Sequence, residues 1–126
     1  MSSAIGAGQH GSANNLTIDI KENAKVTAIG SMDTPAIGNR YCRRGTTTIN
    51  ITGGTVNAIN SYGSDNPSYP DDGTGDYSPA IGADLSSTDS GTCNVNIDSS
   101  TGDTVVNAYI YGKGSAPAVG FTIPSY

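Results

Sequence analysis

The residues best suited to chemistry lie in an acidic, glycine-rich segment, "PDDGTGDYS" at 70–78. Its three carboxylates belong to Asp71, Asp72 and Asp76. Ca²⁺ takes about six to eight oxygen ligands, which flexible loops can supply. The spacing differs from that of an EF-hand loop, so the segment indicates either a Ca²⁺ site or an acidic turn in contact with water. We expect no other metal and no required cofactor.

The longer stretch 61–78 is also the best candidate for a ligand site. It carries Tyr62, Tyr69 and Tyr77 near the carboxylate of Asp72. A tyrosine ring has an apolar face and a polar hydroxyl, so it can stack on a sugar ring while a carboxylate accepts hydrogen bonds from sugar hydroxyls. The alternative is that a long insertion packs its tyrosines against the flank of the fold.

Half of the six basic residues lie together in "NRYCRRG" at 39–45. Arg40, Arg43 and Arg44 can receive an anionic sugar or pair with the acidic segment of the same unit. We favour the internal pair, because its partner is always nearby.

Two cysteines are present, Cys42 in the loop just described and Cys93 in a predicted strand. An even number of cysteines in an extracellular chain favours a disulfide. The inward position predicted for Cys93 fits a buried free thiol equally well. The sequence leaves both alternatives open.

Catalysis has little support in the sequence. His10, the only histidine, lies in the polar segment "AGQHGS" and has no companion for acid–base chemistry. Parallel β-helices that cleave acidic polysaccharides use carboxylates and basic side chains in a long cleft. The chain is too short for such a cleft, although Asp71, Asp72 and Arg43 could gather, and we expect that it is not an enzyme.

The composition excludes several classes of protein. With a net charge of −5 and a pI near 4.4, the chain lacks the basic surface that selects nucleic acid or anionic lipid. No apolar run approaches the roughly 18 residues of a membrane-spanning helix. The chain starts "MSSAIG" without a signal-peptide pattern, which fits either a piece of a longer secreted protein or a short complete gene product.

A four-residue phrase recurs and organises the chain. "SAIG" stands at 3–6, "PAIG" at 35–38 and at 79–82, and "PAVG" at 117–120. Each of the first three is followed by an alternating segment ("LTIDI", "TTINI", "CNVNI") and then by a shorter one ("VTA", "VNA", "VNA"). Three short strands per unit cannot bury a core alone, but stacked units can.

The repeat predicts an all-β fold, a short right-handed parallel β-helix of about three coils with long polar loops. We treat residues 1–126 as a single repeat domain. Its units are approximately 3–34, 35–78, 79–116 and a partial unit, 117–126. The glycine of each phrase would allow a sharp bend.

Period-2 alternation predicts which side chains point inward. Three inner walls are expected: Leu16, Ile18, Ile20, Ile49, Ile51, Val95 and Ile97; Val26, Ala28, Val56, Ala58, Val106 and Ala108; and Ile5, Ile37, Ile81 and Val119.

Outward polar residues should align in rows along the stack. The rows are Thr17, Thr48 and Asn94; Asp19, Asn50 and Asn96; and Thr27, Asn57 and Asn107. Stacked amides and hydroxyls either bond to one another as a ladder or form a regular binding face. In the second case Asn50 and Asn96 are candidate ligand-binding residues.

The order "AIG–loop–TINITGGTVNA–loop–PAIG" at 35–82 resembles the repeat of large bacterial cell-surface proteins. In that family AIGxG alternates with G-x-I-x-I-x-G-G-x-V-x-A, and many members are labelled as carbohydrate-binding domain proteins. The resemblance implies a right-handed parallel β-helix at the bacterial cell surface. It is looser at 79–110, where "IDSSTGDTVVNA" replaces the double-glycine turn, and the second glycine of AIGxG is present only as Gly8.

Two functions follow as expectations. The first is a non-catalytic extracellular module for adhesion or carbohydrate binding, with a polysaccharide or cell-surface glycan as partner. The second is a structural subunit that stacks end to end into a filament through open strand edges. Neither nucleic acid nor membrane insertion is expected.

Overall fold

Regular structure in this protein consists of β-strands. A computed structural model describes residues 3–7, 15–31, 34–42, 44–61, 78–85, 91–111 and 116–122. The strands are β1 (Ile5–Ala7), β2 (Asn15–Ile20), β3 (Lys25–Ser31), β4 (Ile37–Cys42), β5 (Thr46–Ile51), β6 (Gly54–Ser61), β7 (Ile81–Leu85), β8 (Thr92–Ile97), β9 (Thr104–Tyr111) and β10 (Val119–Thr122). Within these segments no helix is long and apolar enough to cross a membrane.

The strands form three sheets in which every pairing is parallel. The first sheet has the order β1-β4-β7-β10, the second β2-β5-β8 and the third β3-β6-β9. The chain therefore visits the three sheets in turn, and each of β1 to β7 pairs with the strand three places further on. We call β1–β3 the first triplet, β4–β6 the middle triplet and β7–β9 the last triplet. The predicted all-β fold with parallel strands is confirmed, and the topology is compatible with a β-solenoid.

The repeated segments pair in the register that their alignment predicts. In the first sheet Ile37 lies between Ile5 and Ile81, and Val119 pairs with Ile81. In the second sheet, the row of Leu16 continues through Thr47 to Cys93. The third sheet aligns Val26, Val56 and Val106 in the same way. Sequence repetition thus becomes rows of equivalent residues that run across the strands.

The glycine of the recurring phrase is required by close packing of successive strands. Gly38 has a φ of 142°, a conformation that L side chains rarely adopt. A Cβ at this position would overlap with the carbonyl oxygen of Gly82 on the neighbouring strand. This glycine therefore lies within a strand, at a position where the neighbouring backbone leaves no room for a Cβ.

The core lies between the three sheets and is densest in the middle triplet. Ile37, Ile49, Ile51, Val56 and Ala58 have no exposed side-chain area. Burial of aliphatic side chains of this size contributes about 1.5 to 3 kcal/mol each. In the first and last triplets, Ile20, Ala28 and Ile81 are buried in this core. The half-buried side chains that pack against it there are Ile5, Ile18, Val26, Val95, Val106 and Ala108.

One side chain predicted to point inward is not buried. Ile97 is 49% exposed, although Ile51, its neighbour in the same row, is fully buried. Ile97 belongs to β8, the last strand of the second sheet. No described strand lies over it, so alternation places it on the inner side but nothing there covers it.

The segment "NRYC" is not the loop that we expected. It belongs to β4, which extends from Ile37 to Cys42, and Cys42 is fully buried. Arg40 is also buried, at 5% exposure, whereas Arg44 is exposed and lies after the strand. β4 is longer than the recurring four-residue phrase alone indicates, since its pairing with β7 continues as far as Cys42 and Leu85.

Candidate functional site

The two ends of the strand stack are the first candidate site. At one end, the first triplet leaves Ile5, Leu16, Ile18 and Val26 half-buried. We call this the first-triplet end. At the other, the last-triplet end, Val95, Val106 and Ala108 are half-buried and Ile97 is exposed. In the described part of the chain no strand pairs with the outer edges of β2, β3, β8 or β9.

The side chains at the two ends are equivalent members of the same rows. The row of Leu16 ends at Cys93, that of Ile18 at Val95, that of Ile20 at Ile97, that of Val26 at Val106 and that of Ala28 at Ala108. The interior of the protein continues each row from strand to strand without a change of register. The two ends therefore present equivalent members of the same rows.

The turns at the two ends carry opposite charges. The turn between β2 and β3 begins with Lys21 and leads into Lys25, with Glu22 between them. The corresponding turn between β8 and β9 contains Asp98 and Asp103. Lys21 directly follows Ile20, and Asp98 directly follows Ile97, so these two side chains occupy the same place in their strands' register.

The carboxylate of Asp98 is held in its ionised form. The Ser100 hydroxyl and the Ser100 backbone N–H each donate a hydrogen bond of 2.8 Å to it. These bonds, the hydroxyl first, lower the pKa of Asp98 below its usual value. The negative charge at the last-triplet end is therefore present throughout the neutral pH range.

The outward asparagines form a hydrogen-bonded ladder. Asn96 Nδ2 donates to Asn50 Oδ1 at 2.8 Å, and Asn50 Nδ2 donates to Asp19 Oδ1 at 2.8 Å. In the third sheet Asn107 Nδ2 donates to Asn57 Oδ1 at 3.0 Å. These amides stabilise the pairing of successive strands. Ligand binding by Asn50 and Asn96 stays a prediction.

The outer face of the third sheet is the second candidate site. Ile29, Ile59 and Tyr109 form one row across β3, β6 and β9, with Ile29 63% and Tyr109 46% exposed. Two residues earlier on the same face, Asn57 and Asn107 form the ladder just described. An exposed ring beside ordered amides is a surface that can bind a flat polar ligand.

Sequence reasoning missed Tyr109 as a candidate. The signal was present, because "VNAYI" at 106–110 follows the same alignment as "VNAIN" at 56–60. Alternation then puts the residue two places after the outward asparagine on the same face.

The two cysteines lie in one small cluster at the edge of the core. Cys42 and Ala83 are fully buried, and Cys93 packs against them. Thr47, the row neighbour of Cys93, donates a hydrogen bond from its hydroxyl to Cys42 Sγ at 3.5 Å. Burial raises the pKa of the Cys93 thiol to about 11, and the neighbouring Cys42 adds to the effect. Both are free thiols here, and the disulfide stays a prediction.

Several predicted site residues lie outside the described residues. They are His10, Arg43, Tyr62, Tyr69, Asp71, Asp72, Asp76 and Tyr77. The predicted Ca²⁺ site and the tyrosine site therefore stay predictions. Among the residues that the structure does describe, no three His, Cys, Asp or Glu side chains are grouped to hold a metal ion.

A hydrogen bond joins Asn60 and Ser78, on either side of the stretch that carries most of these residues. Asn60 donates a hydrogen bond from Nδ2 to the carbonyl of Ser78 at 2.8 Å. The Ser78 hydroxyl in turn donates to the carboxylate of Asp84. All three residues are buried, so these hydrogen bonds hold Asn60 and Ser78 beside the first sheet.

The fold and these surfaces define an all-β protein of parallel strands with two complementary ends. No family model matches the chain, and comparisons with curated proteins and with solved structures found no match either.

Proposed function

We propose that this chain is a non-catalytic repeat module of an extracellular bacterial surface structure, and that copies of it stack end to end. In this proposal the three sheets are the walls of a right-handed parallel β-helix of about three coils. The preferred hand of parallel crossover connections supports the right-handed form. The resemblance of residues 35–82 to repeats of bacterial cell-surface proteins supports the location.

One observation carries the stacking proposal, namely the match between the first-triplet and last-triplet ends. Open strand edges that also expose apolar side chains favour pairing with another chain. If the first triplet of a second copy continued the rows of the last triplet, Ile20 of that copy would cover Ile97. Lys21 of that copy would lie beside Asp98, so charge and apolar contacts would agree.

Stacking is tested by sedimentation velocity and negative-stain microscopy over a range of protein concentrations. We expect elongated assemblies that lengthen with concentration. Ile97→Asp should raise the concentration needed for assembly at least tenfold, because it places a charge on the apolar surface that would be covered. Asn94→Asp is the matched control, since this residue lies on the same strand but points outward.

These two variants distinguish stacking through the last-triplet end from association of other kinds. Assembly that is lost with Ile97→Asp and retained with Asn94→Asp supports the proposal. A compact monomer at every concentration contradicts it. Assembly that both variants weaken equally would mean that general charge repulsion, and not the last-triplet end, controls association.

A second function, carbohydrate binding, is supported by the outer face of the third sheet. The exposed ring of Tyr109 lies beside the amides of Asn57 and Asn107, which are held in a fixed orientation by their mutual hydrogen bond. Sugar rings stack on such side chains, while amides bond to hydroxyls.

Carbohydrate binding is tested by pull-down with insoluble polysaccharides. Tyr109→Ala should weaken binding about tenfold or more, and Val105→Ala should not. Val105 is a suitable control because it is on the same strand, on the same face and similarly exposed, at 47%. Loss of binding only with Tyr62→Ala, Tyr69→Ala or Asp72→Ala would instead place the site in the segment 61–78.

A further inference from the structure

The outer edge of β7 is already occupied by β10, and this affects how two copies can join. The first sheet has four strands, whereas the second and third have three. The last-triplet end is consequently not flat. β10 stands one strand spacing, about 4.8 Å, above the edges of β8 and β9.

A second copy cannot cover all three edges while β10 stays in place. If β1 of that copy paired with β10, its β2 and β3 would lie two strand spacings from β8 and β9. Those edges, with Val95, Ile97 and Val106 beside them, would remain unpaired. If instead its β2 and β3 paired with β8 and β9, its β1 would need the place on β7 that β10 holds.

β1 and β10 begin with the same two-residue pattern and share the backbone conformation of its glycine. Both begin with an aliphatic residue followed by glycine, Ile5-Gly6 and Val119-Gly120. The two glycines have φ angles of 131° and 139°. Each strand makes the same parallel pairing with its neighbour in the first sheet, aliphatic residue on aliphatic residue and glycine on glycine.

The receiving position on β7 fits either strand. A Cβ at Gly82 would overlap with the carbonyl oxygen of Gly120, just as a Cβ at Gly6 would overlap with that of Gly38. Gly82 is therefore open to the carbonyl of a following glycine. The carbonyl of Gly6 from a second copy meets that requirement as well as that of Gly120 does.

We propose that copies join by strand exchange, in which β1 of one copy displaces β10 from β7 of another. β10 then acts as an internal cap that holds the last-triplet end closed until a second copy replaces it. This inference rests on the stacking function proposed above and adds the mode of joining and its control.

The exchange replaces a small contact with a larger one. It gives up the pairing of β10, which has four residues. It gains the pairing of β1, β2 and β3 of the second copy, which have three, six and seven residues. It also covers Ile97 and places Lys21 of the second copy beside Asp98. Assembly should therefore be favourable but slowed by release of the cap.

The test compares the full-length chain with two variants. Val119→Asp weakens the cap, because it puts a charge on a half-buried position of β10. We expect this variant to assemble at a concentration about tenfold lower than the unchanged chain, and faster. Combining Ile5→Asp with Val119→Asp removes the apolar contact of the incoming β1. The double variant should therefore lose the stronger assembly expected of Val119→Asp alone.

A locked cap gives an independent measurement, because it fixes β10 in place where Val119→Asp releases it. Val119 and Ile81 are direct partners in adjacent strands, and such Cα atoms lie within the range of a disulfide. Val119→Cys with Ile81→Cys, in a chain that also carries Cys42→Ser and Cys93→Ser, can be oxidised by a disulfide reagent such as oxidised glutathione. Each bond formed releases two equivalents of reduced glutathione. The oxidised chain should stay monomeric, and reduction should restore assembly.

The outcomes distinguish failure of the exchange from failure of stacking. Suppose that the unchanged chain and the locked chain assemble equally well, while Val119→Asp assembles less. Copies then add onto β10, so the exchange is wrong although stacking is supported. If neither the unchanged chain nor Val119→Asp assembles, stacking fails and the exchange fails with it.

Discussion

The middle triplet and the two end triplets share the same alternating pattern but differ in burial. Ile51 and Ile97 belong to one row, yet the first is fully buried and the second is 49% exposed. Ile51 has a paired strand on each side, whereas Ile97 has one on one side only. Ile20, at the other end of the row, also has one neighbouring strand but is only 6% exposed, so contacts within each triplet contribute to burial as well. In a protein built of repeats, place in the stack and local contacts together determine whether a side chain joins the core or an exposed surface.

The row of Gly6, Gly38, Gly82 and Gly120 should show the largest difference in stability between an inner and an end position. Gly38→Ala brings a Cβ into the carbonyl oxygen of Gly82, and we expect a loss of about 4 kcal/mol or more in the free energy of unfolding. At Gly120 the added Cβ meets only the Pro117 side chain, at 3.3 Å. There the backbone conformation alone should cost about 1 to 3 kcal/mol. Urea denaturation at a concentration where the chain is monomeric measures both; equal losses would contradict the account.

The isoleucine row gives the next largest effect. Ile51→Ala removes a fully buried side chain and should cost about 3 kcal/mol. Ile97→Ala removes a half-exposed one and should cost about 1 kcal/mol or less in the monomer. The same denaturation experiment applies. A large cost for Ile97→Ala in the monomer would show that another part of the chain covers β8.

The half-buried Cys93 should make the stability of the folded chain depend on pH. The pKa of Cys93 in the folded chain is about 11, above the ordinary value of 9.0. The folded state therefore keeps a proton that the unfolded state loses, so stability is fully present below pH 9 and declines as the pH rises toward 11. We expect a decline of about 1 to 2 kcal/mol, reduced from the full value because the thiol is partly exposed. Cys93→Val should remove this alkaline decline, and an unchanged decline would assign it to another group.

The asparagine ladder should show the smallest difference. Asn50 both donates to Asp19 and accepts from Asn96, whereas Asn96 makes only the second of these bonds. Asn50→Ala should cost about 1 kcal/mol and Asn96→Ala about half as much. Thermal unfolding of the two variants side by side tests the order, and a larger loss for Asn96→Ala would mean that the ladder does not act along the stack.

Alternation and repetition were sufficient to predict which side of each strand faces the core. Ile49, Ile51, Val56 and Ile37 are buried as the repeat indicates. The same pattern could not show where the stack stops, because alternation reports the direction of a side chain and not whether a strand lies above it. Ile97 therefore lies on the predicted side of its strand but is not buried.

The sequence was less informative about β4 and about the outer face of the third sheet. Polar residues in "NRYC" resemble a loop, but their backbone pairs with β7, and Cys42 is buried under it. Tyr109 could have been found from its place in the repeat. The complementarity of the two ends depends on register and charge together, which only the paired strands reveal.

The most direct test of end-to-end stacking is a cross-link between copies. Thr17 and Asn94 are exposed members of one row, at opposite ends of the stack. In a chain with Cys42→Ser and Cys93→Ser, Thr17→Cys with Asn94→Cys should yield a ladder of covalent oligomers on mild oxidation. Thr17→Cys with Asn107→Cys places the two thiols in different sheets, so this variant should form no covalent oligomers. Monomers from both variants, or equal ladders from both, would contradict the account.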